Sequence, residues 1–258
     1  MLASPHEEDP VVAAWTRFRQ QMGKPKAIVV VSAHQASSSD AIEVNAAAQC
    51  RAWHDFRGFP SELYQVEYNA KGSPELAARI TQLLSASRSK VPVTLTQREL
   101  IDHGIWVPLV HLVPERDIPI VTIALPESAT PRDFLATGHA LRELRKEDIL
   151  LLGTGGATHN LRMLEWHGKS SPALPEVSAF EEWLLEKLSK RDVESLVQAV
   201  DVYPGFDKLH PTIEHYTPIL FAVGAALEKD HLDVVYRGVE YRALSMLAFA
   251  LDQHENVH

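Results

Sequence analysis

Short apolar, β-branched runs alternate with amphipathic helical patterns along this chain, which is the signature of a sheet covered on both faces. AIVVVSA (Ala27 to Ala33) predicts the clearest buried strand, and PIVTIAL (Pro119 to Leu125) and ILLLGTG (Ile149 to Gly155) repeat the type. Between them, SPELAARITQLLSAS places Leu76, Ile80, Leu83 and Leu84 on one helical stripe, with Ser73 as N-cap and Pro74 at the first helical position. TPRDFLATGHALRELRKED opens a second helix in the same way at Thr130-Pro131. Further on, VSAFEEWLLEKLSKRD carries Phe180, Trp183, Leu184 and Leu188 on one face opposite a charged one, so it is expected to pack on the sheet. ALSMLAFAL near the C-terminus reads as a final strand, and Tyr203 to Pro211 as a long surface loop. No repeat or linker divides the pattern. The expectation is one α/β domain over residues 1–258, with a mostly parallel central sheet and helices on both faces.

Composition narrows the partners. With 258 residues, 45% hydrophobic and 23% charged, the chain is long enough for one large core. A net charge of −9 argues against a nucleic-acid partner, which basic stripes would have to hold. The single cysteine, Cys50, excludes an intrachain disulfide framework and any cysteine-rich zinc module, and reads as a buried small hydrophobe. No apolar run is long enough to span a bilayer and MLASPHEEDP is not a signal peptide, so no membrane partner and a cytoplasmic location are expected.

The candidate chemistry lies in histidines. His34 follows the best core strand directly, and His159 follows ILLLGTGGA, where glycines permit tight turning. In open α/β sheets, ligands bind at the carboxyl ends of strands, so both positions suit a site. His215 opens the apolar helix HYTPILFAVGAA beside Glu214, and either side chain could face the site or form an ordinary polar first turn. His103 sits in a polar turn before WVPLVHLV, where Asp102 either orients its imidazole or caps the next helix. The segment WHDFRGFP adds His54, Asp55 and Arg57 among aromatics, either at a substrate mouth or in an ordinary packed loop. Histidine far apart in sequence but gathered at one end of a sheet reads as a metal site with acid/base chemistry. The GTGG segment lacks both the Walker lysine and the full dinucleotide fingerprint.

Taken together, PKAIVVVSAH, HDFRGFPSELYQVEY, GSPELA, DHGIW with VPL, THNLRMLEWHG and PTIEHYTPILFAVGA resemble the class III extradiol ring-cleaving dioxygenases, in the branch of bacterial and plant DOPA dioxygenases. The matching strings run from about Lys24 to Ala225. The resemblance implies a non-haem metal site, with one Fe(II) or Zn(II) per chain, that opens a catechol ring with dioxygen. It makes His34 a metal ligand, places His159 and His215 at the metal without deciding which ligates and which acts as base, and puts His103 in the surrounding layer. His103 and His159 are the candidates for proton transfer. A small-molecule catechol, dioxygen and a homo-oligomeric partner are the contacts it leaves room for.

Three departures temper it. The family pattern opens with a strand ending in His-Gly-Ser-Pro whose histidine ligates the metal, and Met1-Leu2-Ala3 resembles the stretch just beyond that motif. The chain is therefore expected to lack that ligand and to bind metal weakly, with His6 a poor substitute. Gln35 stands where an aromatic is usual, and Gly155-Gly156-Ala157 precedes His159. Two rival readings arise from the same residues: a metal-poor, catalytically impaired relative, and a zinc-dependent hydrolase working through metal-bound water.

Overall fold

The computed structural model describes residues 9–87 and 90–253; the expectation for His6 lies outside them. Its centre is a five-stranded sheet of β1 (Ala27–Ser32), β2 (Ile42–Asn45), β5 (Val93–Thr96), β7 (Ile120–Ala124) and β8 (Ile149–Thr154) in the order β5-β2-β7-β1-β8. Neighbours are parallel at β1–β7, β1–β8 and β2–β5, and antiparallel at β2–β7. A three-stranded sheet joins β3 (Gln49–Ala52), β4 (Asn69–Lys71) and β6 (Leu100–Ile101), and there are two antiparallel pairs: β9 (His231–Tyr236) with β12 (Ala248–Asp252), and β10 (Val239–Glu240) with β11 (Leu244–Ser245). Thus ALSMLAFAL does form strand, interrupted at Met246 and Leu247.

Strand periodicity splits the core into two layers. Ile28, Val30 and Ile120 face α1 (Pro10–Met22) and α3 (His103–Leu112), meeting Val11, Trp15, Ile105, Trp106 and Leu109. Val29, Val31, Val121 and Ile123 face the other way, against Leu76, Ile80 and Leu84 of α2 (Pro74–Ser85), Leu141 of α4 (Pro131–Leu141) and Phe221 of α9 (Thr217–Gly224). The alternation of β1 thus produces helices on both faces, as expected. Both predicted helix starts are capped: Ser73 accepts from the Leu76 amide, and Thr130 forms a capping box with Asp133. β8 departs from the uniformly buried pattern of β1 and β7, because it is the sheet's last strand and lines a cavity of about 550 Å³ shared with β12.

Two expectations are corrected. The helix α5 (Pro175–Ser189) does not pack on the central sheet; Phe180, Leu184 and Leu188 join a third cluster with α6 (Val193–Val197), α7 (Ala199–Val202), α8 (Phe206–Leu209) and α9. The segment Tyr203 to Pro211 is no surface loop, since α8 lies within it and Phe206, Leu209 and His210 are buried in that cluster. Short apolar spacing at Phe206 and Leu209 supplies the anchor that the glycine and prolines obscured.

Helices α4 and α9 approach at glycine. A Cβ on Gly138 would lie 2.0 Å from the Phe221 carbonyl oxygen, and one on Gly224 2.1 Å from that of Leu135. Gly138→Ala must therefore force two backbones apart and is expected to cost about 3 kcal/mol of stability, read as a lowered urea midpoint. An unchanged midpoint would mean that the contact yields freely.

Candidate metal and acid/base site

Two strand registers assemble the site. In the parallel pair β1–β8, Ser32 lies opposite Thr154, so His34 and the loop Gly155–His159 leave the sheet at the same end. In the parallel pair β3–β6, Ala52 lies opposite Ile101, so Asp55 and His103 emerge side by side. The Trp53 amide extends that pairing by donating to the Ile101 carbonyl at 2.8 Å, and Trp106 Nε1 donates to the Trp53 carbonyl at 2.9 Å. His215 reaches the same place from the turn before α9, where its carbonyl accepts from the Gly156 amide at 3.0 Å. That turn requires glycine: a Cβ on Gly155 would sit 2.2 Å from the His215 carbonyl oxygen.

All four histidines singled out in the sequence converge. The rings of His34 and His103 are 4.1 Å apart, those of His34 and His215 4.9 Å, and those of His159 and His215 are stacked at 3.4 Å. All four line the cavity. His54 does not join them; its Nε2 meets the Val66 carbonyl at 3.0 Å and its ring packs on Phe56, Tyr64 and Trp106. Glu214 is exposed and accepts from the Thr212 hydroxyl at 2.8 Å.

Asp55, not Asp102, orients His103. Its Oδ1 accepts from the His103 amide at 2.9 Å and lies 2.8 Å from Nδ1. Burial pushes Asp55 up, but the hydrogen bonds from His103 outweigh it and hold the carboxyl below its ordinary value. A carboxylate only accepts, so Nδ1 carries the proton and Nε2 of a neutral His103 is left as a base. Asp102 occupies the N-cap position of α3 without capping it; its Oδ1 instead accepts from the Ser32 hydroxyl at 2.7 Å. That bond ties the end of the strand bearing His34 to the start of the helix bearing His103. Burial raises Asp102 above the usual carboxylate range, and its Oδ2 has no hydrogen-bond partner.

The other imidazoles are held neutral. Desolvation at the cavity wall, reinforced by the neighbouring His103, lowers His34 to about 4, although one side of the residue is open to solvent. Burial, then His159 and His34, lower His215 to about 2, and burial lowers His159 also. Neutral imidazole is the form that binds a metal, and among the described residues no hydrogen bond to another residue engages the ring nitrogens of His34 or His215. Neutral nitrogens of this kind suit a divalent cation, but the parallel stacking of His159 on His215 keeps their in-plane lone pairs from converging on one point, so one of the two rings would have to turn. A second set shares His34: the ligand atoms of His34, Asp55 and His103 lie within 4.8 Å of one another, the compact grouping among the described residues. In that set the Asp55 oxygen is already engaged by His103.

The same burial sets the pH response of the metal-free protein. His34, His210 and His215 titrate below the 6.5 of an unfolded histidine, His210 at about 4 because burial lowers it. Between those values and 6.5 the unfolded chain binds protons that the folded chain refuses, so stability rises with pH there and is lost as pH falls. For the buried His210 alone the loss is on the order of 3 kcal/mol. Urea midpoints at pH 7, 6, 5 and 4 should fall steadily; a flat profile from pH 7 to 5 would show that these rings are not held neutral.

Comparison with known proteins agrees with the geometry. The chain is 35% identical over 246 residues to the 4,5-DOPA dioxygenase extradiol of Escherichia coli (strain K12), covering 94% of this chain and 88% of that protein. It is 37% identical over 213 residues to the enzyme of the same name from Beta vulgaris, covering 83% of this chain and 78% of that protein. The crystal structure of an uncharacterized protein from Escherichia coli K12 superposes with a TM-score of 0.79 at 32% identity, covering 95% of this chain and 93% of that one. Residues 6–251 match the family described as the catalytic LigB subunit of aromatic ring-opening dioxygenase, and the chain belongs to that family.

Proposed function

We propose that this chain, acting as one catalytic domain, is a non-haem extradiol dioxygenase that opens the ring of a catechol with dioxygen. The observation that carries the reading is the division of labour among the imidazoles. His34, His159 and His215 are neutral donors, whereas His103 is fixed by Asp55 with Nε2 available as a base. In this reading the first three hold one divalent metal, with Fe(II) favoured over Zn(II) because zinc has no redox state to offer. Held by these residues, such a metal would supply the Lewis acidity and redox chemistry that the reaction of a catechol with dioxygen needs.

The chain's own residues do the rest. His103 Nε2 takes a phenolic proton from the catechol, and Asp55 stabilises the resulting imidazolium across the 2.8 Å contact. Phe56, whose ring stands edge-on to His103 at 5.7 Å, offers an apolar wall against which the substrate ring packs. Both atoms of dioxygen end in the opened product, so no external reductant is needed. The names of the relatives make DOPA the first catechol to try.

The test is oxygen consumption by the Fe(II)-loaded and Zn(II)-loaded protein with DOPA and simpler catechols, followed by detection of a ring-opened product. The iron form should turn over and the zinc form should not; ester or amide hydrolysis by the zinc form without oxygen uptake would replace this reading. Among variants, His34→Ala should lose metal while remaining folded. His103→Ala and Asp55→Asn should keep metal and lower turnover by about 10²-fold or more, as expected for a lost general base. Loss of metal and activity together in His103→Ala would move that residue into the coordination shell.

A further inference from the structure

One carboxylate side chain lies on the apolar stripe of its helix, four residues after Val177 and three before Leu184. It is Glu181 of α5, only 2% exposed. Its Oε2 accepts from Arg237 Nε at 2.9 Å and its Oε1 from the Ser245 hydroxyl. Removing a carboxylate from water is costly unless its partners compensate, and an apolar residue would fill such a position more simply. What Glu181 holds is therefore informative.

It holds both arms of one small hairpin. Arg237 directly precedes Gly238 and β10, and Ser245 lies in β11. The β10–β11 ladder has only two paired positions, Val239↔Ser245 and Glu240↔Leu244, so its own hydrogen bonds restrain it little. From that hairpin the chain of contacts continues inward. The Ser245 amide donates to Thr158 Oγ1 at 3.0 Å, and Thr158 Oγ1 donates to the Ala243 carbonyl at 2.8 Å. Thr158 is the residue before His159. On either side the same loop is pinned again, by His210 Nε2 at 2.7 Å from the Ala157 carbonyl and by the His159 amide on the Leu209 carbonyl at 3.1 Å. Glu181 itself touches no imidazole of the site.

We infer that Glu181 is a positioning residue for His159: by clamping the β10–β11 hairpin through Arg237 and Ser245, it fixes Thr158 and hence the stacking of His159 on His215. The inference rests on the proposed role of His159 in the metal site, but its geometric content does not. Partners one layer beyond a metal's ligands alter affinity by about 10- to 100-fold, and Glu181 acts through one further link, so an effect of about three- to tenfold is expected.

The experiment uses the full chain with two substitutions, Glu181→Gln, which retains shape, and Glu181→Leu, which removes every polar atom. Amide hydrogen exchange is followed residue by residue, and Co(II) is titrated by its visible absorption. In both variants the amides of His159 and Ser245 should exchange about tenfold faster or more, while those of β1 and α5 keep their protection. Co(II) affinity should fall three- to tenfold with an altered band shape. In a Ser245→Ala background, where only the Arg237 arm remains, Glu181→Gln should add less to either loss than it causes alone. Unchanged exchange at His159 in the Gln variant, or acceleration spread equally over α5 and β1, would overturn the inference and leave Glu181 a general stabilising residue. If the unsubstituted protein takes up no Co(II), the metal reading fails, and the exchange rates alone still decide the role of Glu181.

Discussion

Crowding four imidazoles at the carboxyl end of one sheet is the constraint on which the rest of this structure turns. Charged imidazoles would repel one another there, and burial makes protonation costlier still, so His34 and His215 are forced to remain neutral well below pH 6.5. Neutral ring nitrogens are the donors that a divalent cation takes. The fold's devices make sense as means of holding that crowd together: the β1–β8 register, the Gly155 turn that admits the His215 carbonyl, and the Ser32–Asp102 bond joining the two elements that carry His34 and His103. His103 is set apart from the others by one hydrogen bond. With Asp55 on Nδ1, it is committed to offering Nε2 as a base.

Much of this was legible in the sequence, for identifiable reasons. Strands β1 and β7 are continuous apolar runs because both faces are covered, and a histidine directly beyond such a run has nowhere to go but the sheet's functional end. Helix caps at Ser73 and Thr130 follow from local chemistry alone. What escaped depended on pairing between distant segments. Asp55 and His103 are 48 positions apart and meet only because β3 and β6 pair in parallel, so the adjacent Asp102 was the natural but mistaken candidate for orienting the imidazole. The segment WHDFRGFP did carry a signal, a carboxylate flanked by aromatics, but not its partner. Likewise α5 shows a correct apolar stripe whose destination, a third cluster away from the central sheet, periodicity does not encode. Glu181 shares the stripe of Val177, Leu184 and Leu188, but its charge masked that placement because its partner Arg237 is 56 positions away.

Family membership and geometry constrain different things. The match over residues 6–251 makes ring-opening dioxygenase chemistry the frame for the site. The geometry divides roles within it, and here two ligand sets compete for His34. The compact set adds Asp55 and His103, and the all-imidazole set adds His159 and His215. They make opposite statements about His103. In one it is a ligand and cannot act as base; in the other it is the base and must stand clear of the metal.

The most direct test is a crystal structure of the metal-loaded protein, with an anomalous difference map collected at the absorption edge of the bound metal. The account predicts one peak bonded by nitrogen atoms of His34, His159 and His215, with His103 beyond bonding distance and still hydrogen-bonded to Asp55. A peak held between His34, Asp55 and His103 would contradict it.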